Sequence, residues 1–315
     1  MILRMFYHYV IMKLIKKQRG VDMDFISYLI KGVSLGSIYA IIALGYTMVY
    51  GIAKMLNFAH GDVIMVGGFI TFTAMSTWGL NPILSVLISV AFCTVLGVAI
   101  EKIAYKPLRK AAPLAVLITA IGVSYFLQNL AQLIFHADSK AFTSVIQIPT
   151  ISMFNGNLTI TGETMVTIFS SIVIMIGLTL FIKKTKTGRA MVAVSEDQGA
   201  AQLMGVNVNR TIAITFAIGS ALAAIAAVLL FSAYPSISNT SGAMPGIKAF
   251  VAAVFGGIGS IPGAMIGGII LGVIEILSKA YISSQLSDAI VFGILIVVLI
   301  VKPTGILGKK IHEKV

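Results

Sequence analysis

The chain has 315 residues, of which 58% are hydrophobic and 11% charged, and its formal net charge is +12. Soluble domains average about 25% charged residues, so this composition excludes an ordinary soluble domain and predicts a membrane protein. The basic residues lie between apolar runs, so bilayer orientation and anionic lipid headgroups explain them better than nucleic acid does. The single cysteine, Cys93, excludes a disulfide or a cysteine-based metal site.

The N-terminal segment is apolar at first and then basic, with Lys13, Lys16, Lys17 and Arg19. A secretory signal has the opposite order, so we do not expect this segment to be removed. Met23 opens a more typical start. Residues 1–23 are therefore either part of the working protein or an extension read from an upstream start codon, ahead of one membrane domain at 24–310.

Apolar runs long enough for spans of about 20 residues follow one another along the chain. They cover 25–50, 63–77, 83–100, 114–135, 164–182, 211–232, 248–279 and 286–302. Barrel strands would alternate polar and apolar positions over about ten residues, whereas these runs are continuously apolar. We predict an all-α polytopic membrane protein with about eight spans, short broken or re-entrant segments and a possible internal repeat.

Basic residues assign the loops to sides of the membrane. They crowd 102–110, 183–210 and the C-terminus from Lys302, whereas 136–163 and 233–247 carry almost none. The positive-inside rule places the first three segments in the cytoplasm and the last two outside. Run 248–279 must then enter and return, as two short segments meeting at Gly256–Gly263. A cytoplasmic N-terminus and an external Trp78–Asn81 turn require an odd number of crossings before residue 78.

The segment 57–62 places Asn57, His60 and Asp62 within an otherwise apolar stretch. Polar groups at membrane depth are expensive, so they form a functional hypothesis by default, lining a path or a gate. The alternative is a stabilising polar knot, in which His60 bonds Asp62 and Asn57 caps the following helix. A structural or gating role fits better than direct substrate ligation. The residues do not form a metal site or a catalytic triad.

Two pairs of segments resemble each other. Residues 64–70 read like 264–270, and 35–40 read like 218–223. Paired glycine-interrupted segments are the best sequence indication of a transporter site, although small residues also recur wherever membrane helices pack closely. We therefore add four glycines to the candidate path or gate, namely Gly67, Gly68, Gly267 and Gly268.

The loop 183–210 contains the pattern of a short capped helix. Ser195 is a good N-cap residue, Glu196 and Asp197 favour the positive end of the helix dipole, and Gly205 is placed to end the helix. Its small apolar face suits docking into another protein's groove. The alternative is a connector lying in the membrane interface.

The absence of two sequence features limits the possible transport mechanisms. The chain lacks the GxxxxGK[ST] phosphate loop, so it does not bind ATP by itself in the usual way. Glu275 and Lys279 have the i,i+4 spacing of a self-neutralising pair. A proton-driven carrier normally needs a better acidic or histidine relay, which weakens the alternative of a self-sufficient secondary amino acid carrier. A non-transporting membrane scaffold is the other alternative.

Four blocks resemble the branched-chain amino acid ABC-transporter permeases, of the type that pairs with a second permease. They are GVSLGSIYAIIALGYTMVYGIAKMLNFAHGDVIMVGGF (32–69), TGRAMVAVSEDQGAAQLMGVNVNR (187–210), AVFGGIGSIPGAMIGGIILG (253–272) and KPTGILG (302–308). The resemblance covers about 24–308, and residues before Asp24 depart from it.

The resemblance implies a bacterial inner-membrane subunit that is not itself an enzyme and needs no cofactor. Its implied partners are a second related permease, two cytoplasmic ATPase subunits and a periplasmic amino acid-binding protein. The implied substrates are leucine, isoleucine and valine, with urea or short amides as the alternative that related permeases carry. In the implied coupling loop, Gly188 and Arg189 position the short helix that ends at Gly205, and Glu196 and Asp197 contact the ATPase.

Overall fold

A computed structural model describes residues 2–109, 111–153 and 158–308, with side chains from Asp24 onward. Lys110, Lys309, Lys310 and Lys314 of the predicted basic segments lie outside these ranges. The helices are α1 (Ile2–Ala53), α2 (His60–Ser76), α3 (Pro82–Ile100), α4 (Pro113–Phe135), α5 (Gly162–Lys184), α6 (Lys186–Glu196), α7 (Gln198–Leu203), α8 (Val208–Ala233), α9 (Ala243–Gly256), α10 (Ile261–Tyr281) and α11 (Ser287–Val301).

The remaining regular structure is short. A π-helical turn (Glu101–Tyr105) and a 3-10 turn (Lys106–Leu108) follow α3. The strands are β1 (Lys140–Ala141), β2 (Ile151–Met153), β3 (Leu158–Ile160) and β4 (Ser236–Ile237). β1 pairs antiparallel with β4, and β2 with β3, so two small hydrogen-bonded ribbons cover one end of the helical bundle.

Six helical segments in the described part of the chain are long and apolar enough to cross a membrane. They are 24–53, 82–108, 113–135, 162–184, 208–233 and 261–281. The predicted all-α polytopic class is confirmed. Two of the eight expected runs fall short of this length, since α2 has 17 residues and α11 has 15. Run 248–279 contributes one span, because its first helix, α9, has only 14 residues. The sequence predicted two short segments in run 248–279. The second of them is instead α10, which has 21 residues and is long enough to span a membrane.

Helix α1 forms the centre of the bundle. Every residue from Ser34 to Val49 is buried, so the helix is apolar and enclosed on all sides. Helix α8 is similarly enclosed, whereas α4 and α5 expose large apolar side chains such as Leu133 and Phe169. The two enclosed helices therefore provide the frame, and α4 and α5 lie at the periphery.

Glycines let α1 and α10 touch backbone to backbone. A Cβ added to Gly36 would lie 2.6 Å from Cα of Ile269, and one added to Gly268 would lie 2.6 Å from Cα of Ala40. Lipid tails are as apolar as leucine, so membrane helices associate mainly through such close van der Waals packing. The α1–α10 contact is the most extensive in the molecule.

The contacts repeat when α1–α4 are exchanged for α8–α11. Helix α8 packs against α3 where Gly97 meets Ser220, as α1 packs against α10 where Gly36 meets Gly272. Helix α9 lies along α1 as α2 lies along α8. The internal repeat is therefore present, and it relates α2 to α9. The predicted match of 64–70 to 264–270 was wrong because it pairs α2 with α10.

The two halves run in opposite directions. Arg109 bonds Asn209 and Gly257 lies against Gly308, so the basic segments share one end of the bundle, here called the basic end. Tyr28 instead contacts Tyr281, with ring centroids 5.8 Å apart, at the opposite end. Helix α1 therefore runs toward the basic end while α8 runs away from it. Between Asp24 and Ser76 the chain follows α1 to the basic end and α2 back toward the opposite end, and the expected odd number of crossings, which also depends on the residues before Asp24, stays a prediction.

Replacing Gly36 by alanine should lower the thermal stability of the purified protein, because the new methyl group meets the backbone of α10. Overpacking of this kind costs about 1–3 kcal/mol. Gly122→Ala on α4 is the matched control, because nothing lies within 4 Å of a Cβ there. Equal melting temperatures for the two variants would contradict the packing assignment.

Candidate functional site

Two helices begin near the middle of the bundle, with their N-termini together. Helix α2 begins at His60, after the chain has left α1 at the basic end, and α9 begins at Ala243, after the chain has re-entered from the opposite end. A Cβ added to Gly61 would lie 2.7 Å from the carbonyl oxygen of Gly242. Helix N-termini carry a partial positive charge, so this junction is polarised although it is enclosed by apolar helices.

Asn57 lies in the segment between α1 and α2 and is buried. Its Oδ1 accepts a hydrogen bond of 2.9 Å from the hydroxyl of Tyr105, in the π-helical turn after α3. The predicted capping role was wrong, since Ala59 occupies the cap position of α2 without a side-chain cap bond. Asn57 instead ties the break to α3, which sequence spacing alone does not indicate.

His60 is almost completely buried in the space that Gly45 leaves open. Its ring lies edge-on to Tyr46, with centroids 4.7 Å apart. Nε2 has no hydrogen-bond partner among the described residues, and the predicted bond to Asp62 is not formed there. A buried polar atom without a partner costs about 1–3 kcal/mol, and native proteins retain few of them, often at functional positions.

Asp62 is buried in the first turn of α2, where its negative charge interacts favourably with the positive end of the helix dipole. It accepts a hydrogen bond of 2.9 Å from Nε2 of Gln128 on α4. The same Nε2 lies 3.3 Å from the hydroxyl of Ser124. The start of α2 is thus held by α3 on one side, through Asn57, and by α4 on the other.

The four predicted glycines lie at separate helix contacts. Gly67 and Gly68 face α8, and the carbonyl of Gly67 accepts a bond of 2.7 Å from the Ser89 hydroxyl. Gly267 faces α9, and Gly268 faces α1. All four are buried and are not gathered around one opening. Their role in a path stays a prediction, while their close packing is directly visible.

A buried charge cluster is the main feature that the sequence did not reveal. Glu275 accepts hydrogen bonds from Lys279 (2.6 Å), Lys248 (2.8 Å) and the hydroxyl of Tyr39 (2.8 Å). Lys248 also pairs with Asp288 at 2.7 Å. The predicted Glu275–Lys279 pair is therefore present, within a larger network. Lys248 was the available signal, as a lone cation beginning the apolar run 248–279.

A second buried glutamate lies in the other half. Glu101 pairs with Arg109, which also bonds Asn209 at the start of α8. Glu101 follows the packing residue Gly97 on α3, and Glu275 follows Gly272 on α10. Each half therefore places a compensated carboxylate shortly after its closest helix contact.

The predicted coupling loop forms two short helices at the basic end. Thr185 caps α6 by accepting a bond of 2.9 Å from the N–H of Gly188, which is buried against the end of α5, while Arg189 is exposed. Helix α6 ends at Glu196, also exposed. Gly205, with φ of +82°, follows the end of α7 as predicted.

Asp197, rather than Ser195, caps the second short helix. Oδ1 of Asp197 accepts bonds of 2.7 and 2.9 Å from the N–H groups of Gly199 and Ala200. Ser195 lies inside α6, where its hydroxyl bonds the carbonyl of Val192 at 2.7 Å. The prediction was wrong because an aspartate at the junction of two helices satisfies two free N–H groups at once.

Replacing Gln128 by leucine should destabilise the protein, because Asp62 loses its hydrogen-bond donor on α4. An unpaired buried polar group costs about 1–3 kcal/mol, and a charged one more. Gln132→Leu, one turn further along α4, is the matched control because Gln132 is exposed and the hydrogen bond of 3.2 Å that it accepts from Asn239 is at the surface. Thermal unfolding of both variants would measure the difference, and equal losses would argue against an anchoring role for Gln128.

Comparisons with known proteins agree with one another. The family described as "Branched-chain amino acid transport system / permease component" matches residues 28–299. The high-affinity branched-chain amino acid transport system permease protein LivH of Salmonella typhimurium is 46% identical over 305 residues, covering 92% of this chain and 98% of that protein. LivH of Escherichia coli K12 and BraD of Pseudomonas aeruginosa, which carry the same description, are each 44% identical with the same coverage. The chain therefore belongs to the branched-chain amino acid transport permease family and is a multi-pass membrane transport subunit.

Proposed function

We propose that the protein is the membrane-spanning permease subunit of an ATP-driven importer of leucine, isoleucine and valine in the bacterial inner membrane. The names of the relatives, over nearly the full length of both chains, support this substrate class. Residues 24–310 form the permease domain, and 183–210 form its coupling loop. The partners are a second related permease, two cytoplasmic ATPase subunits and a periplasmic amino acid-binding protein.

The exposed tip of the α6–α7 pair is the observation that carries this proposal. Leu203 is 91% exposed and Met204 is 85% exposed, at the end of α7, and the acidic Glu196 is exposed at the end of α6. An apolar tip and an exposed charge on two capped helices at the basic end suit docking into a groove of a cytoplasmic protein. The pair connects α5 directly to α8, so movement of the tip would be passed to the central frame.

The junction of α2 and α9 is the gate in this proposal. Asn57, His60 and Asp62 hold the start of α2 in place, and the lone Nε2 of His60 is poised to gain a partner in another conformation. Gly67, Gly68, Gly267 and Gly268 let the neighbouring backbones slide without colliding side chains. ATP-driven closure of the ATPase dimer would shift α6 and α7, and the frame would then alternate access around the junction.

Glu196→Lys should uncouple transport from ATP hydrolysis. The side chain of Glu196 is exposed, so the substitution should leave the fold intact while reversing the charge at the proposed ATPase contact. We expect leucine uptake and binding-protein-stimulated ATPase activity to fall by about tenfold or more, as loss of one charge-assisted contact produces.

Asp138→Lys makes the same charge change at an exposed site on the opposite end and should retain coupling. Asp197→Asn keeps a good capping residue while removing the charge, so it separates the contact from the cap. Unchanged coupling in Glu196→Lys would remove this residue from the ATPase interface.

Transport by the reconstituted complex tests the substrate class. Radiolabelled leucine uptake should require ATP, and excess isoleucine or valine should compete, whereas urea and short amides should not. Proteoliposomes loaded with a non-hydrolysable ATP analogue are the control. Uptake that persists in this control would favour a secondary carrier, competition by urea would favour the urea permeases, and no flux of any substrate would favour a scaffold.

A further inference from the structure

A cavity of about 230 Å³ lies toward the opposite end of the bundle, between α1, the end of α8, the start of α9 and α10. Its walls differ in character. Leu35, Leu230 and Phe231 provide an apolar side, and Tyr39, Glu275 and Lys279 provide a polar end. Pockets for drug-sized ligands measure about 300–1,000 Å³, so this volume suits a smaller molecule.

Lys279 is the group at the polar end that keeps binding capacity. Glu275 already accepts three hydrogen bonds, and Lys248 is shared between Glu275 and Asp288. Lys279 bonds only Glu275 within the described part of the chain, and its side chain is 38% exposed. An ammonium group has three donors, so Lys279 retains N–H groups for a ligand in the cavity.

The start of α9 adds a second source of positive potential. Ser241 and Pro245 line the cavity on either side of Gly242, which occupies the cap position of this 14-residue helix and offers no side-chain cap. The N-terminus of a helix favours anionic groups, including carboxylates. A carboxylate between Lys279 and this turn would meet positive potential from both.

We infer that this cavity binds the zwitterion of an amino acid with an apolar side chain transiently during transport. The carboxylate lies between Lys279 on α10 and the start of α9, and the ammonium faces the hydroxyl of Tyr234 and the acceptor capacity that Glu275 keeps beyond its three hydrogen bonds. The side chain lies against the apolar wall of Leu35, Leu230 and Phe231. This inference rests on the proposed function. It gives the permease its own discrimination against urea and amides, which lack the paired charges that the polar end matches.

Chemical replacement of the lysine tests the inference in the full complex with its ATPases and binding protein. Native Cys93 is buried, so Lys279→Cys supplies the reachable thiol. This variant should lose leucine uptake by about tenfold or more, the effect of losing a charge-assisted hydrogen bond. Alkylation by 2-bromoethylamine rebuilds an ammonium at the length of lysine and should restore uptake. Iodoacetamide, which adds a neutral group, should not.

Lys31→Cys is the matched control, because Lys31 is an exposed lysine on α1 at the same end of the bundle as Lys279. Its uptake should be unaffected before and after either reagent. If the cysteine variant does not assemble, Lys279→Arg and Lys279→Met replace it, and uptake should be retained by arginine and lost with methionine.

The possible results distinguish failure of the zwitterion site from failure of the proposed importer function. Full uptake by Lys279→Cys, equal recovery with the neutral reagent, or equal uptake by the arginine and methionine variants would overturn the zwitterion site while leaving the importer intact. A wild-type complex that moves no branched-chain amino acid would overturn the proposed function and the site together.

Discussion

Backbone contact between α1 and α10, and its counterpart between α8 and α3, is the constraint on which the structure depends. Without a hydrophobic difference between protein and lipid tails, these helices are held by close packing, and close packing requires glycine at Gly36, Gly97, Gly268 and Gly272. The contact fixes the position of α1 so tightly that its whole middle is buried. Helices α2 and α9 can then begin inside the bundle, because their N-termini are surrounded by protein rather than lipid.

Burial of polar groups follows from this frame. In each half, a glutamate lies just beyond the closest helix contact and is compensated by cations. Glu101 pairs with Arg109, and Glu275 pairs with Lys248 on α9 and with Lys279 one turn further along α10. A buried ion pair is poor evidence of added stability, since desolvation offsets much of the attraction. Removing one partner would leave an uncompensated charge. Lys248 is the cation that links separate helices, because it pairs with Glu275 on α10 and Asp288 on α11.

The sequence predicted what depends on local pattern, namely the helical class, the approximate helix ranges, the glycine-rich packing and the family. It failed where the structure depends on contacts between residues that are far apart in the sequence. The partners of Asn57 and Asp62 are Tyr105 and Gln128, on other helices, and no spacing rule connects them. Of the two repeat matches, 35–40 with 218–223 pairs α1 with α8, as the helix contacts do. The match of 64–70 with 264–270 was misaligned because similar glycine pairs in α2 and α10 serve different contacts.

Helix α1 is common to the cavity and to the α6–α7 pair that we propose as the coupling element. Helix α1 carries Leu35 and Tyr39 into the cavity toward one end, leaves room for His60 at Gly45, and packs against α6 near the other. A helix enclosed on all sides cannot bend to absorb a displacement at one end, since its neighbours fill the space around it. Displacement of α6 would therefore reach the cavity as a shift of α1 against α10.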